Sequence, residues 1–225
     1  MRHAALFDFD NTLIDGDSQG LEVEYFRRRR EISLGRLAYI ALVYLLYKIK
    51  TAPKAALVRS CIGAYRGWEK QGLIEHGNHF FREVTSHRFF PEVIDRMREH
   101  KNRGDLVAVL SASPAHLVGP AAKFLGVDLL IATEIEEDSD GRLTGRTRGP
   151  VNIGSVKAAA AGALLEEHGI DPARCTAYSD DQADLEFLLM AGAAVAVNPT
   201  RKLARIAEVH GWEVIHPFSN GRRLD

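Results

Sequence analysis

From Pro91 onward the chain follows a rhythm that leaves few folds open. Short, almost unbroken apolar runs (LVAVL at 106–110, LLIAT at 129–133, CTAY at 175–178, AAVAV at 193–197, WEVI at 212–215) alternate with longer helix-forming stretches. A strand with one wet face alternates apolar and polar residues. A strand apolar on both faces belongs to a parallel sheet covered by helices on both sides. AALFDF at 4–9 adds one more such run at the start of the chain. Helices are expected at 91–104, 114–125, 156–168, 184–190 and 200–210, the first closed by Gly104. The expected fold is therefore α/β, a doubly wound parallel sheet. Asp140–Gly141 marks the turn of a short β-hairpin.

Between the first strand and Pro91 lie about seventy residues without strand alternation. They carry helical stripes such as Leu21, Tyr25 and Phe26, and Gly63, Gly67, Gly72 and Gly77 punctuate them. The expected organisation is a core from 1–16 and 91–216, a helical cap from 17–90, and a tail from 217–225. An insertion at the C-terminal end of a parallel strand sits where such sheets bind ligands, so it can act as a lid. Within it, Leu37–Tyr47 (LAYIALVYLLY) is expected as a buried helix, with membrane-surface contact as the alternative. It is shorter than the ~20 apolar residues of a span, so no integral membrane segment is expected. Thr51 before Pro53 reads as a helix N-cap with proline in the first turn. Arg27–Arg30 reads as a solvated face, with a nucleic-acid or anionic-lipid patch as the alternative. His76, His79, His87 and Glu75 lack matched partners, so zinc is not expected there. Trp68, Phe80, Phe81, Phe89 and Phe90 are assigned to cap packing.

Composition excludes several classes. With 29 Lys and Arg against 30 Asp and Glu, no overall basic field exists for nucleic acid. Two cysteines, Cys61 and Cys175, make neither a disulfide framework nor a cysteine zinc site. A cytoplasmic monomer or homodimer is expected.

The ends of the expected strands carry the chemistry. The first run ends in Asp8-Phe9-Asp10-Asn11-Thr12 and the next in Ser111-Ala112-Ser113. Lys157 opens the alanine-rich helix. The run at 175–178 leads into Ser179-Asp180-Asp181, with Asp184 three residues on. A parallel sheet would bring these groups to one rim. Clustered carboxylates repel, and a hard cation such as Mg²⁺ relieves that. Such a cation bridges to phosphate oxygens, and a lysine and a hydroxyl neutralise the rest of a phosphoryl group. An aspartate can attack phosphorus, and a second one two residues away can shuttle the proton. Against this stand local roles. Asp and Asn favour turns, and Ser111 or Ser113 can cap the helix after Pro114.

The DxDxT pattern of Asp8–Thr12, followed in order by Ser111, Lys157 and Asp180-Asp181-x-x-Asp184, resembles the motif set of the haloacid dehalogenase superfamily. The cap resembles its C1 type, as in phosphoserine-phosphatase-like members of subfamily IB on a HAD-like Rossmannoid core. The resemblance implies a Mg²⁺-dependent phosphomonoester hydrolase. Asp8 would be the nucleophile and Asp10 the general acid/base. Asp8, the backbone carbonyl of Asp10, and Asp180 would hold Mg²⁺. Ser111, Ala112 and Lys157 would bind the phosphoryl group, with Thr12, Asp181 and Asp184 in support. Two residues depart from the pattern. Asp181 stands where the family usually has a small residue, so it either adds charge beside the metal or caps the next helix. Asp17 stands near the glutamate with which phosphoserine phosphatases recognise a substrate amine; it either does the same or caps the first cap helix.

The implied substrate is a small phosphorylated metabolite, for instance an amino-alcohol phosphate such as phosphoserine or histidinol phosphate. A phosphotransferase or a lipid-phosphate phosphatase of the same family is the alternative. Signalling receiver modules carry similar groups, but their phosphorylated aspartate follows the third strand and they need no seventy-residue insertion. The motifs leave the substrate open, because cap residues select it.

Overall fold

The computed structural model of the protein describes residues 3–218. Seven strands form one sheet: β1 (Ala4–Phe7), β2 (Leu106–Pro114), β3 (Leu129–Glu137), β4 (Leu143–Arg148), β5 (Cys175–Ser179), β6 (Ala193–Val197) and β7 (Glu213–Ile215), in the order β4-β3-β2-β1-β5-β6-β7. All neighbours are parallel except β3 and β4, which form the hairpin expected around Gly141. From β1 the chain winds outward to β2 and β3 on one side, then returns to β5, β6 and β7 on the other. β1 thus stands at the point where the winding reverses, and its C-terminal end is where such a sheet binds ligands.

Both faces of the sheet are buried, which is why its strands read as unbroken apolar runs. One face packs Phe7, Val107 and Val109 against α5 (Pro91–Asn102) and α6 (Ala115–Leu125). The other packs Leu6, Ala108 and Ala177 against α7 (Ser155–Glu167), α8 (Leu185–Leu189) and α9 (Arg201–His210).

The insertion consists of α1 (Ser18–Arg29), α2 (Leu34–Lys48), α3 (Lys54–Ile62) and α4 (Lys70–Glu83), with short 3-10 turns. Where it leaves and rejoins the core, the chain is pinned: Asp15 N donates to Arg88 O at 2.7 Å and Phe90 N to Leu13 O at 3.0 Å. Phe26, Val58, Ile62, Tyr65 and Leu73 form a cap cluster that shares Ala112, Ile135 and Leu143 with the core. The β3–β4 hairpin leans on this cluster, with Gly67 N donating to Leu143 O and Leu143 N to Trp68 O, both at 2.8 Å.

Three cap expectations are corrected. Phe89 and Phe90 pack with Phe7 and Val107 in the core cluster, and Phe81 packs against it, so these three are not cap core. The helix containing Leu37–Tyr47 is not buried: only Ile40 and Val43 of α2 are covered. Its apolar run has the length and composition of a core helix, but one narrow stripe suffices to seat it on α3. Thr51 does not cap α3 either. The N-cap position is Pro53, which precedes the helix and makes no side-chain cap. Of the tail expected at 217–225, residues 219–225 lie outside the described residues.

Candidate active site

The strand rim gathers residues from four elements. Asp8 follows β1, and its backbone N–H donates to Tyr178 O of β5 at 2.9 Å, so the two strand ends are registered directly. Asn11 adopts φ 55°, a left-handed turn that asparagine tolerates, and the chain curls back over the rim. Lys157, in the first turn of α7, is fully buried and donates to Asp8 Oδ1 at 2.7 Å and to Asp184 Oδ2 at 2.6 Å. Asp184 is oriented in turn by Ser179 Oγ, which donates to its Oδ2 at 2.8 Å. Asp184 therefore holds the lysine.

Asp10 is gripped by serines from two directions. Ser113 Oγ donates to its Oδ2 at 2.5 Å, and the Ser18 backbone N–H, at the start of the cap, donates to its Oδ1 at 2.7 Å. Ser113 therefore serves Asp10 and is no helix cap. The N-cap position of α6 is Pro114, which makes no side-chain cap. Ser111 is buried at the end of β2, where its Oγ accepts from Ser113 N at 3.0 Å. Asn152, absent from the sequence reading, fixes this turn: its Nδ2 donates to Ser111 O and Ile131 O, both at 3.1 Å. Ala112 O accepts from Thr133 Oγ1 at 2.7 Å. Thr12 Oγ1 is buried without a hydrogen-bond partner.

The two residues left open by the sequence now have places. Asp181 accepts from Ala183 N at 2.7 Å and caps the 3-10 turn that follows. Asp17 stands at the N-cap position of α1 but makes no side-chain cap hydrogen bond, and it reaches solvent.

The electrostatics are those of crowded acids with cations at their edges. Burial pushes Asp8 up to about 6; Lys157 opposes this, and Asp184 and Asp10 add to it. Burial and the Asp8 charge raise Asp180 to about 8, against the pull of Lys54. Asp10 is raised by burial and by Asp17. Asp17 is raised by the protein packed around it, with Lys54 opposing. Burial works against the charge on Lys157, but Asp184 and Asp8 hold its ammonium above the ordinary value.

Lys54, at the start of α3, was missed in the sequence. Burial opposes its charge too, yet Asp8, Asp180, Asp10 and Asp181 together raise its pKa. The cap thus contributes a second cation to the rim. Its only sequence signal is its position just past Pro53.

Asp180 has no side-chain hydrogen-bond donor among the described residues, and its charge is opposed by its neighbours. An oxygen-only set made of Asp8, the Asp10 backbone carbonyl and Asp180 suits a hard cation such as Mg²⁺. Both side-chain oxygens of Asp10 are held by serines, so its carbonyl is what it can offer.

A second polar cluster lies between cap and core. His76 of α4 meets Glu22 Oε1 of α1 at 2.6 Å, and His116 of α6 meets it at 3.2 Å. Tyr65 Oη donates to Glu22 Oε2 and lies 3.1 Å from His116 Nε2. His76 therefore has the partners that neighbouring sequence could not supply. Glu22 is held down to about 2: burial would raise it, but His116 and His76 outweigh burial. Among the described residues this is the only trio of His, Cys, Asp or Glu ligand atoms within 4.8 Å of one another. A separation of 2.6 Å is a hydrogen bond, and the trio closes on itself.

With this geometry in hand, comparison with known proteins is specific. The family model of haloacid dehalogenase-like hydrolases matches residues 5–189. Phosphoserine phosphatase SerB1 of Mycobacterium tuberculosis is 32% identical over 216 residues, 94% of this chain and 70% of that protein. A histidinol-phosphatase of Neisseria meningitidis is 27% identical over 220 residues, 96% of this chain and 99% of its own. A crystal structure of a protein of unknown function from Bordetella pertussis Tohama I superposes with a TM-score of 0.88 at 27% identity, covering 97% of this chain and all of the other.

Proposed function

The chain belongs to the haloacid dehalogenase-like hydrolase family, and from that premise we propose that it hydrolyses a small phosphomonoester through a phosphorylated Asp8. The observation that carries this reading is the buried Lys157 bridge between Asp8 and Asp184 beside a separately held Asp10. Lys157 engages Asp8 Oδ1, which leaves Oδ2 to attack phosphorus. Asp10 is kept apart from that cation by Ser113 and Ser18, and its raised pKa suits a group that protonates the leaving oxygen. The same carboxylate then takes the proton of the water that cleaves the Asp8–phosphoryl bond. Ser111, the Ala112 backbone and Lys157 would cradle the phosphoryl oxygens.

Asp8, the Asp10 carbonyl and Asp180 would hold Mg²⁺. The ion would supply charge neutralisation at the phosphoryl oxygens. Asp17 and Lys54 face the same region from the cap side with opposite charges. That pair favours a substrate whose leaving group carries both an amine and an anion, the chemistry of an amino-acid phosphate, while Asp17 alone would also suit an amino-alcohol phosphate. The similarity to a phosphoserine phosphatase and a histidinol-phosphatase supports an amine-bearing substrate without choosing between them. The acid beside Asp8 favours turnover over a stable phospho-acceptor, because it can activate water.

The test is phosphate release from a panel of phosphorylated metabolites with Mg²⁺, using Asp8→Asn as control. The expected result is turnover on an amine-bearing phosphomonoester and none in the variant, whose circular dichroism is unchanged. Turnover retained by Asp8→Asn would remove the mechanism.

A further inference from the structure

Helix α2 and its C-cap residue carry all but one of the cap's exposed large apolar side chains, the exception being Ile74 of α4. Leu34, Tyr39, Leu42, Tyr44, Leu45 and Ile49 are all exposed, Leu34 by 85%, Leu45 by 57% and Ile49 by 61%. No charge occurs from Leu37 to Tyr47. A patch of this kind in water carries a standing cost unless something covers it.

Along the segment itself the charges have one sign. From Ile32 to Trp68 the chain contains no acid but six cations: Arg36, Lys48, Lys50, Lys54, Arg59 and Arg66. Lys54 is committed to the rim carboxylates. Lys48, Lys50, Arg59 and Arg66 are exposed. Arg36 and Lys48 sit 5.4 Å and 5.2 Å from the ring centres of Tyr39 and Tyr44, so each tyrosine carries a cation at its apolar face. Exposed leucines, interfacial tyrosines and a basic rim are the composition of a helix that lies in the boundary of an anionic bilayer. At 15 residues α2 is about 22 Å long, so it would lie flat. Among the described residues no helix is long and apolar enough to cross a membrane.

We propose that α2 docks this protein on an anionic phospholipid surface, with its leucines among the acyl chains and Lys48 and Lys50 at the headgroups. A second copy of the chain fits the face poorly. A two-fold contact would bring Arg36, Lys48 and Lys50 of both copies together with no acid on either helix to pair them. The proposal concerns where the enzyme sits and is independent of which phosphomonoester it cleaves.

The experiment is flotation of the full chain with vesicles of phosphatidylcholine alone or mixed with phosphatidylglycerol. Expected are binding to the mixed vesicles only, weakening with added salt, and losses of about tenfold or more in Leu42→Glu/Leu45→Glu and in Lys48→Glu/Lys50→Glu. Hydrolysis of a soluble phosphomonoester stays at the wild-type rate in both variants. Three results would overturn the proposal: wild-type protein that does not float, equal flotation of the leucine variant, or a solution dimer that the leucine variant dissolves without vesicle binding. None of these touches the phosphatase reading, and Asp8→Asn floats normally if docking is correct.

Discussion

Lys54 is a cation placed among carboxylates that would themselves attract a divalent ion, so it should work on substrate and metal in opposite senses. Replacing it in Lys54→Met removes a partner for the anionic substrate, and KM should rise about tenfold, the scale of one charge-assisted hydrogen bond. The same change removes a like charge near the cation, so Mg²⁺ should bind more tightly. Steady-state kinetics and a Mg²⁺ titration of the same variant read both effects, and a parallel loss of both would refute the placement. Lys54 also shows where sequence reasoning stops. Asp8, Asp10, Ser111, Lys157 and Asp180 were legible because each sits at or beside the end of a recognisable strand or the start of a helix. Lys54 follows no strand and belongs to no spaced motif. It reaches the rim only because α3 packs across it. Asn152 was hidden for the same reason, and Ser113 was read as a helix cap because its partner, Asp10, is distant in sequence.

At the level of elements, the cap is fastened to the core where α1, α4 and α6 meet. Gly77 of α4 lies so close to α6 that an added Cβ would stand 2.1 Å from His116 O, so only glycine permits this approach. Around that crossing Glu22 links His76, His116 and Tyr65. The unfolded glutamate takes up its proton near 4.5 and the folded one near 2, so between these values the unfolded chain binds more protons. The latch is therefore fully formed above about pH 5 and is lost as pH falls toward 2, at a cost of about 3 kcal/mol. Thermal melts from pH 6 down to about 3 should show wild type losing stability faster than Glu22→Gln, which starts lower. Parallel slopes would show that Glu22 carries no such load. The helical content of the cap was legible from stripes and glycines, but not which faces meet. A run such as Leu37–Tyr47 reads the same whether it is buried or exposed, because periodicity reports an apolar surface and not what covers it.

For the molecule as a whole, the doubly wound sheet creates a rim and the cap then buries it. Asp8 is only 6% exposed, and the cap joins the core through the pinned segments at 13–15 and 88–90, so an opening of the cap about them would admit a substrate. Burial of this kind stores acid repulsion: Asp8 rises to about 6 and Asp180 to about 8. Between the unfolded value of 3.8 and these folded values the native chain binds more protons, so native stability falls as pH rises through that window. A divalent cation offsets the repulsion once the acids are ionised. Mg²⁺ should therefore raise the melting temperature more at about pH 8 than at about pH 5, where protons already occupy the carboxylates. At a hundred times its dissociation constant the ion adds about 2.7 kcal/mol, or roughly 5–10 °C for a chain of this size. Calorimetry with and without chelator at both pH values measures the difference, and Asp180→Asn should shrink it. A shift that is equal at both pH values and indifferent to Asp180 would place the ion elsewhere than on this rim.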